Sequence, residues 1–254
     1  MNDFETLFNK GLEYLQLSNF SKAIESFTGI IKIQPNLPMV YIYRGISFEQ
    51  LDENDKALSD YNFAVNYLPD DYKYIGYYYR GFSYQLTGNL DNAVKDLTNA
   101  INLAPADPDL LFNLCLALYN RGCIYKHIKE DDKAFADFTE VLKINPDYGK
   151  AYDGRGDVFE HRGKYDEAIS EYDKAIKFGY CHSIVYLNRG FCYLKKLNTK
   201  KAIEDFKTVL KIDPGCSYAN DCAELINRLN IIKGEHDAQL IIGFAETIIN
   251  NLPI

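Results

Sequence analysis

Large apolar side chains recur along this chain in two registers. Three residues after each of six glycines stands an aromatic residue (Tyr14, Phe48, Tyr84, Tyr125, Phe159, Tyr193). Four residues after each of six alanines stands a large apolar one (Phe27, Tyr61, Leu97, Phe138, Tyr172, Phe206). The glycines, Gly11, Gly45, Gly81, Gly122, Gly156 and Gly190, are 34, 36, 41, 34 and 34 residues apart, and each precedes its alanine (Ala23, Ala57, Ala93, Ala134, Ala168, Ala202) by twelve. Spacings of three and four put side chains on one helical face, so each period predicts two successive helices with core-facing stripes. A small residue on each stripe marks where two antiparallel helices come too close for a larger one. Pro35, Pro69, Pro105, Pro146 and Pro214 stop the second helix in five periods, and Tyr180 stands there in the fifth.

A fixed period means one supersecondary unit stacked many times. The frame gives repeats at 4–37, 38–71, 74–107, 115–148, 149–182 and 183–216, with two residues inserted before the third repeat, seven before the fourth, and residues 217–254 left over. The order glycine, aromatic, alanine, large apolar residue, proline resembles the tetratricopeptide repeat, whose pattern runs L-G-x-x-Y, A-x-x-x-F, P over 34 positions. One departure is that the chain has no tryptophan, and Tyr41, Tyr77, Tyr152 and Tyr186 hold the family's first aromatic position. The resemblance implies an all-α, right-handed superhelical solenoid of antiparallel helix pairs, six repeats closed by a degenerate C-terminal hairpin over 217–254.

Five repeats carry arginine just before the glycine (Arg44, Arg80, Arg121, Arg155, Arg189) and an acid just before the second-helix ring or leucine (Asp60, Asp96, Asp137, Glu171, Asp205). The first repeat has Lys10 and Ser26 instead. Arginine and acid come and go together, which predicts partly buried ion pairs.

Composition narrows the function. The formal charge of -8, from 36 acidic and 28 basic side chains, lacks the basic footprint of a nucleic-acid binder. No apolar run reaches membrane-span length and the first residues do not form a signal peptide, so a cytoplasmic chain is expected. Cys115, Cys123, Cys181, Cys192, Cys216 and Cys222 show no C-x-x-C pairing and are expected as free thiols. No phosphate-loop, serine-elbow or zinc-protease string is present, so neither an enzyme nor a cofactor site is expected. His127 and His161 hold one position in successive repeats, with Asp153, Asp157 and Glu160 nearby. They are expected as a solvated polar face rather than a metal site.

In the family that the chain resembles, first helices line the ligand-binding surface. The positions that carry over are Phe8, Leu12, Ile42, Ile46, Tyr78, Phe82, Tyr119 and Cys123, apolar in the first four repeats, then Lys150, Asp153, Asp157 and Glu160 in the fifth and Leu187 and Phe191 in the sixth. The family's carboxylate-clamp positions hold Phe8, Leu12, Tyr43, Ile75 and Tyr79 here, none of which grips a carboxylate. Its peptide-bonding asparagine position holds Asn9, Asn120 and Asn188, interrupted by Tyr43, Tyr79 and Gly154. The resemblance implies a non-catalytic scaffold that binds a peptide segment of a partner protein. A peptide-sensing regulator and an accessory subunit of an enzyme complex are the alternatives.

Two segments fall outside the frame. Asp107 and Pro108 carry N-cap and first-turn signals, so the fourth repeat's first helix is expected to start early, with Leu110, Leu111, Phe112 and Leu114 on an apolar projection. The tail predicts helices at 217–231 and 236–251. In the second, Leu240, Ile241, Ile242, Phe244, Ala245, Ile248, Ile249 and Leu252 cover more than one face. That surplus is expected either to pack on the chain's own end or to form a homodimer, with Ile242 and Ile249 deciding between the two.

Overall fold

The computed structural model describes residues 3–105, 111–231, 241–243 and 245, and among them every regular element is helical. The six repeats supply the pairs α1 (Asp3–Gln16) and α2 (Phe20–Ile33), α3 (Pro38–Glu49) and α4 (Asn54–Tyr67), and α5 (Lys73–Leu86) and α6 (Leu90–Leu103). Next come α7 (Leu111–His127) and α8 (Asp131–Ile144), α9 (Gly149–His161) and α10 (Tyr165–Lys177), α11 (Ser183–Lys195) and α12 (Thr199–Ile212), and then α13 (Ala219–Ile231). A 3-10 turn over Asp70–Tyr72 takes up the insertion before the third repeat. The chain divides into two compact units, residues 1–124 and 125–254, with the boundary inside α7.

Within each repeat the two helices are joined by the same turn. Ser18, Asp52, Gly88, Lys129, Gly163 and Leu197 all have left-handed backbone. The N–H of the next residue then donates to the carbonyl of the first-helix aromatic, as in Asn19 to Tyr14 at 2.8 Å and Asn198 to Tyr193 at 2.9 Å. This is the Schellman closure of a helix. The residue that closes the first helix also caps the second: Asn19, Asn89 and Asn198 accept from the N–H of Lys22, Asn92 and Lys201. Only two of the six turns put glycine in the left-handed position, and any other residue there costs about 1–2 kcal/mol.

The pairs close on a contact between glycine and ring. A Cβ on Gly45 would lie 2.5 Å from the Tyr61 ring, and those on Gly11, Gly156 and Gly190 2.6, 2.6 and 2.7 Å from Phe27, Tyr172 and Phe206. These rings, with Leu97 and Phe138, have no solvent exposure. Burying each such side chain is worth about 1.5–3 kcal/mol.

Four of the arginine–acid pairs form inside the units. Arg44 grips Asp60 with Nε at 2.8 Å and Nη2 at 2.7 Å. Arg80 holds Asp96 at 2.6 and 3.0 Å, and Arg189 holds Asp205 at 2.9 and 2.6 Å. Arg155 Nε lies 3.0 Å from Glu171 Oε2, but without hydrogen-bond alignment. The remaining nitrogen reaches back to the preceding repeat's second helix. Nη1 donates to Thr28 from Arg44, to Asn62 from Arg80, to Thr98 from Arg121 and to Asp173 from Arg189. Burial raises the Asp60 and Asp205 carboxyls above their usual range, outweighing the lowering effect of the arginines.

α7 begins at Leu111, four residues ahead of the repeat frame and so about 6 Å early. Phe112 is exposed, while Leu111 and Leu114 are half-buried; the expected start, 107–110, lies outside the described residues. At the other end, α13 packs Cys222, Leu225, Ile226 and Leu229 onto Leu187, Phe191, Leu194 and Phe206. Ile241, Ile242 and Ala245 are helical and buried in the same cluster, so Ile242 is covered by its own chain. Leu240, Phe244, Ile248, Ile249 and Leu252 lie outside the described residues.

Three outcomes follow. Leu197, left-handed with φ 58°, should gain about 1 kcal/mol on Leu197→Gly, read from the urea midpoint; an unchanged or lower midpoint contradicts the strain. Arg44→Ala strands the Asp60 carboxylate in the core and should cost about 3 kcal/mol. Arg44→Met with Asp60→Leu should recover most of that loss, and a double variant no better than the single one removes the stranded-charge account. Light scattering at tens of micromolar should give the 29.2 kDa monomer, whereas a doubled mass would return the tail to a dimer.

Candidate functional site

Two first-helix positions, three before and one after the conserved-register glycine, generate the surface that the repeat pattern singles out. In the N-terminal unit Phe8, Leu12, Ile46, Tyr78, Phe82, Tyr119 and Asn120 are half-buried. Ring contacts order them: Phe8 stacks on Phe4 at 5.9 Å and meets Tyr43 edge-on at 5.7 Å, and Tyr78 stacks on Phe82 at 6.4 Å. Tyr43 and Tyr79 in turn stack on the buried Phe27 and Tyr61 of the repeat before, at 5.6 and 5.8 Å. The result is two ordered aromatic groups, one around Phe8 and Tyr43 and one around Tyr78, Tyr79 and Phe82. Asn120 Nδ2 donates to Tyr78 Oη at 3.5 Å, so this asparagine already has a partner within the chain.

Three of the expected surface residues are in the core. Ile42 is 1% exposed, covered by Ile75 and Tyr79 of the following repeat. Phe191 is 2% exposed, set against Phe206 at 5.4 Å and sealed by α13 together with Ile241, Ile242 and Ala245. Leu187 shares that fate. These three are packing residues, not lining, because the next helix pair brings large side chains over them.

In the C-terminal unit the same two positions of the fifth repeat carry Asp153 and Asp157. The expectation of a solvated polar face is corrected here: both are half-buried, as is Glu160. Asp157 accepts from Lys126 Nζ at 2.5 Å, from Asn188 Nδ2 at 3.1 Å and from Tyr172 Oη at 2.8 Å. Glu160 Oε2 also lies 2.8 Å from Tyr172 Oη. Asp153 Oδ1 is shut off from solvent and accepts no hydrogen bond. Burial first, and the Asp157 charge second, push Glu160 up to about 7 and Asp153 well above the usual carboxylate range. Burial likewise raises the Cys192 thiol and the Tyr172 hydroxyl.

The histidines stand apart from these acids. His161 Nδ1 faces Asp131 at 3.5 Å and His127 is exposed. Among the described residues no group of three or more histidine, cysteine or acidic side chains is arranged to hold a metal ion.

Lys126, Tyr172 and Asn188 were not among the residues expected at this site. A signal for Tyr172 was present in the sequence. Only the second and fifth repeats put tyrosine at the buried ring position (Tyr61, Tyr172), and only these two put glutamate four residues after the glycine (Glu49, Glu160). At this position each tyrosine has a glutamate beside it, and burial raises Glu49 too, next to Tyr61 and Ser83, although the Tyr61 hydroxyl makes no hydrogen bond.

Comparison with known proteins bears on the family and the fold. Three family models described as tetratricopeptide repeat match residues 4–37 and 76–107, 115–148 and 183–216, and 132–179. Among solved structures, the Cut9 and Hcn1 hetero-tetramer of the APC/C is similar over 86% of this chain at 22% identity and TM-score 0.71, with the chain spanning 41% of its counterpart. PilF of Pseudomonas aeruginosa is similar over 87% of this chain and 97% of its own, at 17% identity and TM-score 0.74. YrrB, described as a TPR protein with an unusual peptide-binding site, is similar over 80% of this chain and 100% of its own, at 21% identity and TM-score 0.59. A search of curated protein sequences gives no significant match.

Proposed function

The chain belongs to the tetratricopeptide repeat family, and on that premise we propose that it is a non-catalytic scaffold holding an apolar or aromatic segment of a partner polypeptide. Proteins of this family are protein-interaction scaffolds. The observation that carries the finer reading is the half-buried aromatic surface of the N-terminal unit, where Phe8, Tyr78, Phe82 and Tyr119 come from three of the first helices, α1, α5 and α7. Rings held in place by their neighbours lose little freedom on binding, so burying them contributes affinity at small entropic cost. The carboxylate-clamp positions support an apolar ligand rather than a chain terminus, since Phe8, Leu12, Tyr43, Ile75 and Tyr79 bring no cation. The corrected lining set is Phe8, Leu12, Ile46, Tyr78, Phe82, Tyr119 and Asn120, with Asp153 and Asp157 a separate polar site in the C-terminal unit.

Among the described residues no helix is long and apolar enough to cross a membrane, and the proposed setting is the cytoplasm. The partner class is protein, not nucleic acid, given the acidic balance of the chain.

A tagged chain and its Tyr78→Ala, Phe82→Ala variant, matched for helicity by circular dichroism, should recover different proteins from lysate, identified by mass spectrometry. The expected outcome is that the wild type's specific partners drop at least about tenfold in the variant, the loss of roughly one well-buried anchor. Equal recovery of every partner by both chains would sink the aromatic-surface reading.

A further inference from the structure

We infer that Asp157 and Glu160 hold one proton between them on the Tyr172 hydroxyl, so that the fifth repeat is a proton-sensitive element of the C-terminal unit. This inference stands independently of the scaffold reading. It starts from a count of hydrogens. Tyr172 Oη lies 2.8 Å from Asp157 Oδ1 and 2.8 Å from Glu160 Oε2. Two oxygen–oxygen contacts of that length each need a hydrogen, and a phenol has one to give. The second hydrogen therefore sits on a carboxyl group, which donates to the tyrosine oxygen.

Surroundings decide which carboxyl holds it. Asp157 also accepts from the Lys126 ammonium at Oδ2 and the Asn188 amide at Oδ1, so both of its oxygens are already met by donors. Glu160 has only the tyrosine as a short hydrogen-bond partner and is more strongly desolvated. It keeps the proton, and its carboxyl is pushed up to about 7 by burial and then by the Asp157 charge. The groups facing it come from each neighbouring helix. α7 brings Lys126; α9 itself brings Asp153 and Asp157; α10 brings Tyr172; α11 brings Asn188, Cys192 and Lys195. α8 presents the Phe138 ring to Gly154 and Asp131 to His161.

The second repeat is an internal comparison. Glu49 and Tyr61 hold the same positions, but Ile46 stands where the fifth repeat has Asp157. There the tyrosine has a single carboxyl beside it and makes no hydrogen bond to it. In the fifth repeat it has two, and losing the shared proton leaves two buried anions on a single hydrogen, between the first and second helices of that repeat.

The direction follows from linkage. The folded chain holds this proton more tightly than the unfolded one, whose carboxyl titrates near 4.5. The contribution to stability is therefore complete below about pH 4.5, falls as pH rises toward about 7, and is gone above that. Glu160→Gln keeps an N–H to donate to the Tyr172 oxygen at every pH. Thermal unfolding from pH 5 to pH 8 should lower the wild-type midpoint by roughly 5 °C more than that of Glu160→Gln. The histidines remain in both chains, so their titration cancels. Parallel curves for the two chains overturn the inference. A readout that does not depend on the variant's fold is the side-chain carboxyl 13C shift of wild-type protein labelled at glutamate and aspartate. A carboxyl step between pH 6 and pH 8, correlated through space with Tyr172, supports the shared proton; completion of the Glu160 step below pH 5 overturns it.

Discussion

Five repeats rest on a glycine pressed against a buried side chain, in four of them a ring that a Cβ would meet at 2.5 to 2.7 Å. That contact fixes the distance and the axial level of the two helices in a pair. Arginine precedes the glycine on one helix and the acid precedes the ring on the other, so both arrive at the same height and meet sixteen residues apart in sequence. With Nε and Nη2 spent on the acid, Nη1 points to the preceding pair and bonds Thr28, Asn62 or Asp173. One close approach inside a pair thus also joins it to the pair before. The salt bridge alone is not the source of stability, since burial drives the aspartates away from ionisation; what it adds is register.

The same approach explains where polar groups enter the core. A phenylalanine ends its contact at the ring edge, but a tyrosine carries a hydroxyl one helical turn beyond the glycine, where a buried donor needs an acceptor. The fifth repeat meets that need with Asp157 and Glu160, while in the second Glu49 stands beside a Tyr61 hydroxyl that makes no hydrogen bond. In the fifth, aspartates at both surface positions of the first helix crowd the glutamate, and Lys126 and Asn188 from neighbouring helices answer Asp157.

Helix pairs, turns and ion pairs were legible in the sequence because each depends on residues a fixed distance apart within one period. Exposure was less legible. Ile42 and Leu12 occupy the two surface registers, yet Ile42 is sealed by Ile75 and Tyr79 while Leu12 stays half-open. The difference lies in side chains that come from the next pair, and a positional pattern does not record their size. Asp153, Asp157 and Glu160 misled for a related reason: spaced acids on a helix usually mean a solvated face, and their burial depends on Tyr172 and Asn188 far along the chain. The tyrosine–glutamate pairing was open to the same repeat-by-repeat comparison that revealed arginine and acid.

Packing does not account for the acids of the fifth repeat. Apolar side chains fill Asp153's register in the other five, and four of those repeats also hold large apolar residues at Asp157's. A buried carboxylate there costs free energy that leucine or phenylalanine would not, and Asp153 Oδ1 recovers none of it through a hydrogen bond. In an array built from one repeated contact, the fold asks the same thing of every unit. The positions where one unit departs at an energetic cost are therefore where properties beyond folding reside, and in this chain they converge on one face of α9.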